Sequence, residues 1–207
     1  MKITINKKIS FNKDSRPYIV AEISGNHNGS KKLFLKHIRE AHKNGADMIK
    51  IQTYEPDDIT IKNTKLDTKI KKGIWKGKNL WDLYNKAQTP FAWHADAFKL
   101  AKKLKITLFS TPFSIRALKF LKKFNPKIYK ISSFEITDFN LINEIAKTKK
   151  PIIISTGSST FNEIRSALKI IERHHSKIIL LHCVSGYPTP IEEANINSIK
   201  FLQTKFK

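Results

Sequence analysis

Six short, nearly continuous apolar runs, rich in Ile, Val, Leu and Tyr, punctuate the chain at 18–23, 47–52, 106–110, 127–131, 152–155 and 178–182. Runs of this length and composition predict strands buried on both faces. The segments 31–44, 95–104, 114–124, 139–147 and 160–173 instead carry apolar residues three and four apart, the spacing of one helix face. Asn44-Gly45 reads as a helix stop, and Ser114, Asp138 and Thr160 can each cap a helix start. Six strand–helix units emerge, and such an alternation predicts a parallel sheet covered by helices on both sides.

Two architectures fit that alternation. An open doubly wound sheet would carry a glycine-rich phosphate loop after its first strand, but the first strand runs into Glu22-Ile23-Ser24-Gly25-Asn26-His27-Asn28-Gly29, which has no such motif. Polar residues recur at the C-terminal strand ends: Glu22, Lys50 with Gln52, Ser110 with Thr111, Lys130 with Ser133, Ser155 with Thr156, and His182. Barrel enzymes build their sites at that face from many strands at once. The expectation is an α/β fold, a TIM-type (β/α) barrel over residues 1–207, incomplete with about six of eight βα units. The connection 55–94, with Trp75, Trp81, Tyr84 and Trp93, breaks the rhythm. It reads either as a lid or substrate wall, or as a loop pinned down by its aromatics.

Composition narrows the function classes. At 207 residues and 40% apolar content the chain supports one domain with a good core. The net charge of +22 invites nucleic acid or an anionic membrane. The 39 basic residues are scattered, however, only five are Arg, and no zinc spacing or basic-aromatic motif accompanies them. No nucleic-acid or membrane partner is expected, and the Lys, Ile and Asn excess reads as compositional drift. The single Cys183 excludes an internal disulfide and reads as a core residue. No signal-peptide-like or membrane-length apolar stretch occurs, so a soluble cytoplasmic protein is expected.

Against this basic background two lysines stand out by context. Lys50 in Met48-Ile49-Lys50-Ile51-Gln52-Thr53 and Lys130 in Ile128-Tyr129-Lys130-Ile131-Ser132-Ser133 sit within apolar strands. A lysine pointing inward from a buried strand implies an anion partner. Any one strand-end Ser or Thr reads as a cap or turn residue; several, together with two inward lysines, read as an anion site. His27, His94 and His182 read as structural rather than metal-ligating.

Six motifs in register resemble the sialic acid synthase family: Ala21-Glu22-Ile23-Ser24-Gly25-Asn26-His27-Asn28-Gly29, Gly45-Ala46-Asp47 through Thr53, Ser110-Thr111-Pro112-Phe113, Tyr129-Lys130-Ile131-Ser132-Ser133, Ser155-Thr156-Gly157, and Leu181-His182-Cys183 through Tyr187-Pro188-Thr189-Pro190. Within that family the segments Gln52–Asp57, Gly73-Ile74-Trp75, Leu80–Tyr84 and Thr89–His94 are similar to pseudaminic acid synthases, as are Ser132-Ser133-Phe134-Glu135 and Ser185. The resemblance implies condensation of phosphoenolpyruvate with a 2,4-diacetamido-2,4,6-trideoxy-L-altrose, giving pseudaminic acid and phosphate by C–O cleavage. N-acetylneuraminic or legionaminic acid synthesis from a mannose-type sugar stays open, as does an inactive homologue that only binds a small phosphate ligand.

The resemblance also implies roles. Lys50 and Lys130 would bind the anionic substrate, with Thr111, Ser133 and Ser155 as hydroxyl donors. Glu22 would stabilise positive charge beside an attacking water. Gln52, Ser185 and Tyr187 would face the substrates. A divalent metal, Mn2+ or Mg2+, and a homodimer are implied for the complete family enzyme. The family's metal-binding histidines and its C-terminal antifreeze-like domain are expected to lie beyond Lys207.

Overall fold

The structure, a computed structural model, describes residues 2–12, 14–63 and 69–206. In chain order the elements are β1 (Ile3–Thr4), β2 (Ser10–Phe11), β3 (Val20–Glu22), α1 (Lys31–Lys43), β4 (Met48–Thr53), α2 (Leu80–Ala87), α3 (Phe91–Leu104), β5 (Thr107–Pro112), α4 (Ile115–Lys122), β6 (Tyr129–Ile131), α5 (Phe139–Ala146), β7 (Ile152–Ser155), α6 (Phe161–Glu172), β8 (Ile178–Leu181) and α7 (Asn197–Lys205). They group into two compact units, Asp14–Pro126 and Met1–Lys13 with Lys127–Lys207.

In the unit Asp14–Pro126, β3, β4 and β5 run parallel, with Glu22 opposite Lys50 and Gln52 opposite Thr111. Side chains alternate along a strand, so two distinct faces arise. One carries Ile49, Ile51 and Leu108, which pack with Phe34 and Ile38 of α1 and Ala97 and Ala101 of α3. The small alanines four apart let α3 approach closely. The other face carries Glu22, Lys50, Gln52 and Thr111. Helix ends follow local chemistry: Ser30 and Ser114 accept from the N3 amides of α1 and α4. Gly45, at φ +86°, takes the left-handed position after α1.

The long connection is built rather than slack. Residues 64–68 lie outside the described set; around them sit a 3-10 turn at Pro56–Asp58 and α2, a helix that the apolar spacing did not reveal. Arg116 pairs with Glu55 and, at 3.0 Å, with Asp58. Trp81 Nε1 donates to Asp57 at 2.7 Å, and Tyr54 meets Tyr84 and Phe113 edge-on. Helix α3 begins at Phe91, before the expected 95, because Pro90 rather than a hydroxyl residue stands at its N-cap.

In the second unit β6, β7 and β8 run parallel, placing Lys130 opposite Ile153 and Ser155 opposite Leu181. Asp138 and Thr160 cap α5 and α6 as expected, the latter in a capping box with Glu163. Leu141, Ile142, Ile145 and Ala146 of α5 and Ile164, Ala167, Leu168 and Ile171 of α6 are buried. The antiparallel pair β1–β2, unforeseen at two residues per strand, brings buried Ile3, Ile5 and Ile9. Helix α7 follows β8, and Phe161 meets the rings of Phe201 and Phe206.

Candidate functional site

The second unit holds Lys130, Ser133, Ser155 and Ser185, and brings two of them, Ser133 and Ser185, to one glycine. A Cβ built on Gly157 would lie 2.5 Å from Ser185 Oγ, 2.9 Å from Ser133 Oγ and 3.1 Å from the Cys183 carbonyl. Two hydroxyls and a carbonyl, from the segments that follow β6 and β8, therefore crowd the space that only glycine leaves free. Beside them Lys130 is 6% exposed, its ammonium donating to the Ser155 hydroxyl and to the Ile131 carbonyl at 2.7 Å. Cys183 Sγ also donates to Ser155 Oγ, at 3.1 Å. With both lone pairs of that oxygen taken by donors, the Ser155 hydrogen is left to point at a ligand. Cys183, read from the sequence as plain core, is part of this arrangement and only partly buried.

Glu135 adds a carboxyl group that sequence reasoning used only as a branch marker. Its Oε2 is buried without a hydrogen-bond partner. Burial holds its pKa above the usual carboxylate range, against the opposing pull of Ser132 and the Lys130 charge. The signal that could have found it is the acidic residue two positions beyond Ser133, directly after a strand end. Tyr187, by contrast, is 75% exposed.

The first unit holds the remaining predicted residues on one sheet face. Glu22 forms an ion pair with Lys50, and its Oε1 accepts from the Ser24 amide at 2.9 Å. Lys50 thus has a carboxylate partner within the chain, as expected of an inward lysine. Two strands along, Thr111 is 1% exposed and its Oγ1 is buried with no partner. A buried hydroxyl left unpaired is costly unless a ligand takes it up. Gln52 is its register partner. Ser110, read with Thr111 as a strand-end polar residue, points to the opposite, helix-covered face and bonds Thr53 there at 2.7 Å.

The histidines behave as structural groups. His27 is fully buried, accepts from the Gly29 amide at 3.1 Å and packs edge-on against Phe34 and Trp93. His94 is fully buried, bonded at both ring nitrogens. His182 Nε2 bonds the Ala194 carbonyl at 2.8 Å. Among the described residues no three His, Cys, Asp or Glu side chains converge to hold a metal ion. These residues do not fit a divalent-metal site. No helix among them is long and apolar enough to cross a membrane.

Chemically, the second unit offers a cation and three hydroxyls for an anion, and a protonation-prone carboxyl nearby in sequence. The first offers a carboxylate–ammonium pair, an amide and an unengaged hydroxyl. Comparison with known proteins places this equipment. A pseudaminic acid synthase of Campylobacter jejuni is 46% identical over 198 residues, covering 95% of this chain and 58% of that protein. A pseudaminic acid synthase of Helicobacter pylori is 46% identical over 185 residues, covering 88% and 54%. The chain thus spans somewhat more than half the length of these relatives. A crystal structure of the N-acetylneuraminic acid (sialic acid) synthetase of Leptospira borgpetersenii, in complex with citrate, superposes with a TM-score of 0.88 at 29% identity, covering 100% of this chain and 67% of that one. The fold is accordingly of the expected TIM-barrel type. With a family match running over residues 37–207, the chain belongs to the NeuB family.

Proposed function

We propose that this chain carries the phosphoenolpyruvate-condensing machinery of a pseudaminic acid synthase. The observation that supports it most is the approach of Ser133 and Ser185 to Gly157 in the same unit as the buried Lys130 ammonium, which donates to Ser155. Fixed cations and hydroxyl donors are what a substrate bearing both phosphate and carboxylate requires. In the proposed reaction the methylene carbon of phosphoenolpyruvate attacks the aldehyde carbon of the open-chain sugar, forming the new C–C bond. Positive charge builds on the former enol carbon, water adds there, and the C–O bond to phosphate breaks.

Lys130, Ser133 and Ser155 hold the anion, and Lys50, in the other unit, is a second cation for an anionic group. Glu22, already paired with Lys50, supplies the carboxylate that stabilises the developing cation and orients the water. Gln52, Thr111, Ser185 and Tyr187 contact the substrates. Glu135, whose buried Oε2 has no hydrogen-bond partner, is a further polar group for the substrates. The sugar is assigned to the altrose type because the connection 55–94 and the pseudaminic acid synthase relatives agree.

The test is phosphate release from phosphoenolpyruvate, with manganese present, against the altrose-type diacetamido sugar and two mannose-type sugars. Release with the altrose-type sugar alone is expected. Release only with a mannose-type sugar would move the chain to the sialic or legionaminic branch. Binding of phosphoenolpyruvate without release with any sugar would reduce the function to ligand binding.

A further inference from the structure

Behind the strand ends that carry Gln52 and Thr111, three polar side chains form a continuous buried line. Thr53 Oγ1 lies 2.7 Å from His94 Nε2 and 2.7 Å from Ser110 Oγ, and His94 Nδ1 lies 3.2 Å from the Pro90 carbonyl. All three residues are 0% exposed. The Pro90 carbonyl can only accept, so Nδ1 carries the ring hydrogen. Nε2 then accepts from the Thr53 hydroxyl, and the Ser110 hydroxyl, 2.7 Å from the Thr53 oxygen, also donates to the Ile51 carbonyl at 3.1 Å. The line runs from β5 through β4 to the first turn of α3.

None of these groups lies on the face that carries Glu22 and Lys50. Their link to it is alternation. Thr53 follows Gln52, Ser110 precedes Thr111, and Gln52 and Thr111 are register partners. Consecutive strand side chains point to opposite faces, so pinning Thr53 and Ser110 from behind fixes the backbone from which Gln52 and Thr111 project forward. The site also sits where ordinary ladder support runs out, since β4 ends at Thr53 and β5 at Pro112. The Phe113 amide, bonded to the Thr53 carbonyl at 3.3 Å, is the last such link. Thr111 Oγ1 is buried and unpartnered, a hydroxyl set in position for something outside the protein. An apolar trio at these positions would hold the elements together as well; a fully satisfied polar network instead specifies a single arrangement.

We propose that His94 is a positioning residue, setting through Thr53 and Ser110 the reach of Gln52 and Thr111 toward phosphoenolpyruvate. The role rests on the function proposed above. It is tested by Thr53→Val, which keeps the shape and removes the hydroxyl, and by Thr53→Ser, which restores it. Binding of phosphoenolpyruvate is measured by calorimetric titration, with thermal melts alongside. Thr53→Val is expected to weaken binding about fivefold to tenfold, the worth of one or two hydrogen bonds, and Thr53→Ser to stay within about twofold of the parent protein. Should Thr53→Val melt below the assay temperature, Ser110→Ala cuts the line at its far end and carries the same expectation.

Parent-like binding by the folded Thr53→Val or Ser110→Ala protein, whatever its melting temperature, would overturn the positioning role. Equal weakening in Thr53→Val and Thr53→Ser would do so as well. Lys130→Ala separates this from the function itself. If Lys130→Ala loses binding while Thr53→Val does not, only the positioning role falls; if Lys130→Ala also binds normally, the phosphoenolpyruvate assignment falls with it.

Discussion

Ser155 shows how a neutral hydroxyl is given a direction by its neighbours. Lys130 and Cys183 both donate to its oxygen, so its own hydrogen is available for an anion. Replacing Cys183 by Ala frees that oxygen to rotate and is expected to weaken phosphoenolpyruvate binding about threefold to fivefold, while Cys183→Ser restores it. Calorimetric titration of the two variants checks this. Most of the cradle was legible in the sequence because inward lysines and strand-end hydroxyls are unusual against apolar strands. Glu135 was not, since its burial arises from tertiary packing that no local pattern records. Ser110 misled for a related reason: its polarity suggested the site, whereas one step along the strand turned it to the other face.

At the scale of elements, strands and helices followed from period and caps, and the misses share a cause. Helix α2, eight residues long inside a Lys-rich connection, has no buried residue of its own, so no apolar stripe marked it. The pair β1–β2 is too short for a period-two pattern to register. Arg116, which clamps the turn Pro56–Asp58, is half-exposed, so Arg116→Ala is expected to cost under about 1 kcal/mol and less at high salt. Urea melts at two salt concentrations measure it.

The link between α3 and the strands carries a pH signature. Burial, partly opposed by the carbonyls of Pro90, Phe91 and Gln52, lowers the His94 pKa from 6.5 to about 4. Between those values the unfolded chain binds the proton and the folded chain does not. Stability is therefore fully present above about pH 6.5 and falls as pH drops toward about 4, by about 3 kcal/mol in total from this residue. Burial lowers His27 and His175 in the same direction. His94→Gln should flatten much of this acid-side slope in denaturant melts at pH 7 and pH 4.5. An unchanged slope would mean that His94 is not buried in its neutral form.

For the molecule as a whole, the net charge of +22 sets the conditions under which it would meet the proposed small anionic substrate. Scattered surface lysines act only within a Debye length of about 8 Å at physiological salt, so they steer the ligand without holding it. Phosphoenolpyruvate affinity is expected to fall a few-fold between low and physiological salt and then level off as the buried contacts of Lys130 take over. A titration series in sodium chloride would show this plateau; a continuous decline would mark the binding as surface attraction alone. The fold class followed from strand-end polarity because a barrel gathers its chemistry at one end.

The most direct measurement is calorimetric titration of phosphoenolpyruvate into the parent protein and into Lys130→Ala at fixed physiological salt. Saturable one-to-one binding by the parent, weakened at least about tenfold in Lys130→Ala, is the predicted result. Equal affinity in the two proteins, or no binding by the parent, would contradict the claim that the cradle around Lys130 and Gly157 is built for this substrate.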